Sequence, residues 1–156
     1  MKGIALVLRA LYDGERGLEQ SLLTVADRHG ADHEVHHVAT DIARWSHDHA
    51  ERVARAAESH GLHLPETAPL TPRRQAPAPD DAAADPGVLL LLDLRELHLA
   101  AAKNALDWQM LSQAAQAAGE SGLVDLAAEC RPQTVRQMSW TDTMLKTLSP
   151  QLLTSL

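Results

Sequence analysis

The sequence predicts an all-α four-helix bundle: two helical hairpins joined by a long Pro-rich crossover linker. Three observations carry this. Apolar residues recur with a 3.6-residue period through four long stretches. The apolar palette is Leu, Ala, Val and Met: 45% of the 156 residues are hydrophobic, only 3% are aromatic, and there is no Phe. Packed helices suit that palette, whereas a β-sandwich draws on more β-branched and aromatic side chains. Finally, six of the eight prolines (Pro65, Pro69, Pro72, Pro77, Pro79, Pro86) fall between residues 62 and 87 and divide the chain in two.

The first hairpin spans 3–61. Its first helix, from about Gly3 to Arg28, carries Ile4, Leu8, Leu11, Leu18, Leu22 and Val25 on one stripe. Gly14 and Gly17 weaken it by roughly 1 kcal/mol each relative to Ala, which points to a bend or a close contact there. A turn at His29–Asp32 leads to a second helix with the stripe Val38, Ile42, Trp45, Val53 and Ala56, and Gly61 stops it.

Residues 62–87 read as a flexible linker, polar apart from Leu62, Leu64 and Leu70, with little to bury. The second hairpin spans 88–149. Leu94, Leu97, Ala101, Ala105, Trp108 and Ala115 line its first helix, which Gly119 ends. The last helix carries Leu123, Leu126, Cys130, Met144, Leu145 and Leu148. Pro132 should kink or break it, and Ser149-Pro150 should close it. Trp45, Trp108 and Trp140 are the expected large plugs of the core.

Helices of about 27 residues are roughly 40 Å long, and 26 linker residues reach roughly 85 Å extended. The linker can therefore travel the length of the bundle, so the third helix can start at the far end. A faint echo between Leu8–Tyr12 and Leu94–His98, and between Leu18–Leu23 and Leu106–Leu111, suggests a duplicated hairpin.

The formal charge of −7 disfavours binding to nucleic acid or an anionic membrane. The longest apolar runs, Ile4–Leu8 and Val88–Leu92, are too short for a signal core or a bilayer span. One cysteine excludes an intrachain disulfide framework, and the expected compartment is the reducing cytoplasm.

Leu91-Leu92-Asp93-Leu94-Arg95-Glu96-Leu97 is similar to the start of small bacterial ferritin-like stress proteins, and both hairpins resemble the ferritin-like superfamily in pattern. The resemblance implies a one-crossover bundle and a bacterial, stress-associated setting. Diiron members place a Glu on each of two helices and a Glu-x-x-His on the other two. Here those pairs would fall at Glu129/Pro132 and Asp41/Arg44, and neither has the His. What the resemblance then implies is a non-catalytic bundle without a cofactor, of structural or stress-associated role. The alternatives are an iron- or zinc-binding protein with a divergent core site, a His-rich sequestering module, or a protein-interaction module.

Several residues could carry chemistry. Glu15 projects onto the core face of the first helix and His49 onto that of the second, and this pair is the candidate metal site. Asn104 and His98 flank the core face of the third helix, and Thr134, Gln137 and Thr141 face inward on the fourth. Glu15, His49, Asn104 and Gln137 should meet near mid-bundle, where hydrogen-bonding among themselves is the simplest use of them. One carboxylate, one imidazole and two amides suit iron poorly.

His33-Glu34-Val35-His36-His37 spells H-E-x-x-H, the pattern of a zinc hydrolase. His33 and His37 fall toward the outer side of their helix with no evident third ligand, so they read as a solvated helix start. Seven of the nine histidines crowd the first hairpin, and protonating all nine would move the charge from −7 to +2, so a pH sensor is conceivable. Cys130 sits on the core stripe with no adjacent base evident. Lastly, Leu92, Leu99, Leu106 and Met110 form a second apolar row on the third helix, opposite the core stripe, and predict a homodimer.

Overall fold

The computed structural model describes residues 2–73 and 85–155. It contains four helices: α1 (Lys2–Arg28), α2 (His33–Glu58), α3 (Pro86–Ala118) and α4 (Ser121–Thr154), with no strand among the described residues. Local signals set the ends. Asp32 caps α2 by accepting from Val35 N–H at 3.1 Å, and Asp85 caps α3 with Pro86 in the first turn. Gly61 and Gly119, at φ 71° and 70°, take the left-handed conformation that closes α2 and α3. After Gly61, Leu62 N–H reaches back to Ala57 O at 3.1 Å, and after Gly119, Glu120 N–H reaches Ala115 O at 2.9 Å.

α1 packs against α2 and α3, α3 packs against α4, and α2 touches α4 more lightly. Asp93 near the start of α3 accepts from Arg28 (3.0 and 3.1 Å) and His29 (2.7 Å) at the end of α1. Further along, Asn104 meets Glu15. α1 and α3 are therefore antiparallel neighbours, α2 and α3 run the same way, and the chain between them crosses the length of the bundle.

That crossing is not a loose tether over its described part. Residues 62–73 lie along α1, held by four residues one turn apart. Tyr12 Oη donates to Pro65 O (2.7 Å), Arg16 Nη2 to Ala68 O (2.7 Å) and Gln20 Nε2 to Thr71 O (2.5 Å), while Thr24 Oγ1 accepts from Arg73 N–H (3.0 Å). Leu62, Leu64, Thr67 and Leu70 are half-buried, and Leu62 and Leu64 pack against the core. The expectation of little to bury fails for this strap. The remainder of the expected flexible linker, 74–84 with Arg74, lies outside the described residues.

Other expectations shift. α3 begins at Pro86, two residues early, because Asp85 caps it. α4 runs unbroken through Pro132 and continues past Pro150 to Thr154. Pro132 and Ala128, whose carbonyl loses its partner, both face solvent, where water can replace the bond. On α2 the buried face is Val35, Ala39, Ile42, Ala43, Ser46, His49, Ala50, Val53 and Ala57, so Val38, Trp45 and Ala56 sit at its edge. Of the three tryptophans only Trp108 is fully buried; Trp45 and Trp140 are half-buried against the core rim. The second segment of the echo does not survive, since Leu18 is buried while Leu106 is 61% exposed.

The core falls into two clusters. One, around Leu8, Leu11, Val53, Trp108, Leu111 and Leu126, fills the end holding the α3–α4 turn. The other, around Leu18, Leu22, Ile42, Leu94, Leu97 and Met144, fills the opposite end. Between them lies a polar layer.

Candidate functional site

Each helix contributes to that layer. Glu15 comes from α1 between Leu11 and Leu18, Ser46 and His49 from α2, Asn104 from α3, and Cys130, Gln133, Thr134 and Gln137 from α4. Glu15, Ser46, His49 and Thr134 are fully buried, and Asn104 and Gln137 nearly so.

Glu15 and His49 are bonded directly, Oε2 to Nδ1. Asn104 Nδ2 donates to the other Glu15 oxygen at 2.8 Å, and His49 Nε2–H donates to Gln133 Oε1 at 2.7 Å. The His49 ring stands edge-on to Trp108, with centroids 5.9 Å apart and planes at 83°. Both ring nitrogens and both carboxylate oxygens are thus engaged within the protein, as buried polar groups require.

Burial drives the Glu15 carboxyl above its ordinary range, and the bonds from His49 and Asn104, pulling the other way, do not offset it. Burial works against the His49 imidazolium, but hydrogen bonding to Cys130 and to Glu15 outweighs it and pushes His49 up to about 10. The two upward shifts describe one proton, held between Nδ1 and Oε2 across neutral pH.

The sequence-predicted groups divide here. Glu15, His49 and Asn104 come together. Gln137 instead reaches Ile42 O (3.0 Å) and Ser46 Oγ (2.9 Å), one turn away. His98 bonds Thr141 Oγ1 at 2.9 Å, outside the network. Gln133 was missed, although its place one turn before Gln137 was a signal that could have found it. Cys130 lies in the same layer as His49, whose two ring nitrogens are taken by Glu15 and Gln133. The thiol is completely buried and has the setting of a small packed side chain.

A polar seam joins α2 to α4 at one-turn intervals: Arg52 to Glu129, His49 to Gln133, Ser46 to Gln137. Four buried atoms have no partner among the described residues: Asn104 Oδ1, Trp108 Nε1, Gln137 Oε1 and Trp140 Nε1.

Other candidates lie apart from the layer. His33, Glu34 and His37 are exposed on the first turns of α2, and no three His, Cys, Asp or Glu side chains converge to hold a metal among the described residues. Asp41 pairs with Arg44 at 3.4 Å on the surface, and Glu129 is exposed beside Arg52. The positions at which the resemblance looked for ligand pairs are therefore outside the layer. Within it, the residues three apart are Ser46 and His49 on α2, and Cys130 and Gln133, and Thr134 and Gln137, on α4.

No helix among the described residues is long and apolar enough to cross a membrane. Compared with known protein families, curated proteins and solved structures, the chain matches none.

Proposed function

We propose that this chain is a non-catalytic ferritin-like bundle, structural or stress-associated in role. One observation carries the reading. At mid-bundle, where diiron bundles hold metal, Glu15 and His49 are bonded to each other and closed off by Asn104 and Gln133. A metal entering there would have to displace the shared proton and strip both amides from their partners. The polar layer helps to specify how the helices pair, since the Glu15–His49, Asn104–Glu15, His49–Gln133 and Gln137–Ser46 bonds each join two different helices. The buried, single Cys130 is in keeping with a reducing cytoplasmic setting.

Aerobic reconstitution of untagged protein with ferrous iron, followed by elemental analysis, tests the reading. Substoichiometric iron and no ferroxidase signal are expected. Two irons per chain, with an oxidation signal abolished by Glu15→Ala, would overturn it in favour of a divergent metal site.

In that role the bundle acts as a homodimer through α3. Leu99, Leu106 and Met110 are 56%, 61% and 52% exposed on the face turned away from the core, with half-buried Leu92 at the head of the row. The described strap lies on α1 and leaves this row uncovered.

A further inference from the structure

Six of the nine histidines are engaged by other groups: His29 by Asp93, His36 by Ala26 O, His47 by Glu19, His49 by Glu15, His60 by Glu120 and His98 by Thr141. His33 and His37 face each other instead. They are exposed one turn apart at the start of α2, with ring centroids 6.2 Å apart and planes within 12° of parallel. His36 stands edge-on to His37 at 5.3 Å, and its Nδ1–H donates to Ala26 O at 2.8 Å, fastening this corner to the end of α1.

We propose that His33 and His37 form a two-ligand surface site for a late first-row divalent cation, Cu²⁺ in preference to Zn²⁺ or Ni²⁺. Residues four apart on a helix share a face, so rotation about the side-chain bonds brings one nitrogen from each ring onto a common ion. Imidazole selects copper, nickel and zinc over magnesium and calcium, and copper heads the series. Water completes the coordination, because no third protein ligand converges there among the described residues.

The site is therefore a clamp and differs from a hydrolase centre, which needs three protein ligands. The positive end of the α2 dipole opposes a cation here, and Asp32 at the cap with Glu34 in the first turn offsets it. A bound ion ties position 33 to position 37 and resists fraying of α2. Neither Glu15 nor His49 takes part, so the clamp and the reading of the polar layer stand or fall separately.

Calorimetric titration of the untagged full chain with Cu²⁺ and with Zn²⁺ near neutral pH tests the clamp. The expected result is a single Cu²⁺ site, tighter than for Zn²⁺. It should be weakened about tenfold or more, roughly 1.4 kcal/mol, by His33→Gln or by His37→Gln, since either change halves the protein ligands. His63→Gln, with helical circular dichroism unchanged in every variant, should bind as wild type. In the wild type, paramagnetic broadening by Cu²⁺ should centre on the amides of the first turns of α2. Wild-type affinity in the double variant, broadening centred elsewhere, or no copper binding would each overturn the proposal.

Discussion

Asn104 presses on α1 so closely that a β-carbon at position 14 would stand 2.2 Å from its Oδ1 and 3.2 Å from its Cγ. Gly14 is the gap through which Asn104 reaches Glu15. At Gly17, on the same helix, nothing lies within 4 Å of such a carbon. Two glycines with the same cost to helix propensity thus have opposite reasons to be judged by.

Gly17→Ala should stabilise the fold by about 0.5–1 kcal/mol through helix propensity alone. Gly14→Ala should destabilise it by about 1–3 kcal/mol, because Asn104 must move and leave Glu15 short of a donor. Urea unfolding of the two variants side by side checks this. A gain at both positions would show that Asn104 can move aside at no cost.

The proton shared by Glu15 and His49 predicts how stability depends on pH. In the unfolded chain His49 titrates near 6.5, while in the fold it is held up to about 10. The folded pair thus binds more protons than the unfolded one between those values. Its contribution is complete below about pH 6.5 and is lost as pH rises through about 10. A full proton is worth about 1.4 kcal/mol per pH unit, so a loss of roughly 1–3 kcal/mol is expected between neutral and moderately alkaline solution. Denaturant unfolding across that range should give a clearly shallower slope for the Glu15→Gln/His49→Gln double variant than for wild type. Equal slopes would place the proton elsewhere.

How far these features were legible depends on what marks them in the sequence. The stripe of α1 was readable because large aliphatic residues alone define it, and all of Ile4, Leu8, Leu11, Leu18, Leu22 and Val25 are buried; on α3, Leu94, Leu97 and Trp108 anchored the stripe and carried its alanines with them. On α2 the buried face includes Ala39, Ala43, Ala50 and Ala57, small residues that admit close helix approach but carry little hydrophobic signal. The larger Trp45 drew the expected stripe to one side. Glu15 and His49 were legible as polar residues on apolar faces. Gln133 was not, since only the α2–α4 register places it against His49. The strap was illegible for a different reason: three of its four anchors are backbone carbonyls, which every residue possesses.

The row Leu99, Leu106 and Met110 predicts a folded dimer whose disruption leaves the bundle intact. Replacing Leu99 and Leu106 by Glu places charge on an exposed face and removes nothing from either core cluster. Light scattering should give twice the chain mass for wild type and a single chain mass for the double variant, both with full helicity. A wild type that is monomeric at high micromolar concentration would end the dimer reading.

The strap along α1 makes the last prediction. Tyr12 and Gln20 each donate one side-chain hydrogen bond to residues 62–73, Thr24 accepts one from Arg73 N–H, and Leu70 is half-buried beside them. Such bonds to an exposed segment contribute about 0.5–1.5 kcal/mol each. Losing two should therefore raise the undocked population of the strap by roughly tenfold without unfolding the helices. Tyr12→Phe with Gln20→Ala is the informative pair, because each change removes a donor and leaves the apolar contacts nearly as they were. Trypsin cleavage after Arg73 requires an undocked chain, so its rate should rise by a comparable factor in the double variant while global unfolding shifts far less. Because α3 remains pinned through Asp93 to Arg28 and His29, the cut chain should stay assembled as two associated hairpins. Unchanged cleavage in the double variant would mean that the side chains of α1 do not hold the strap.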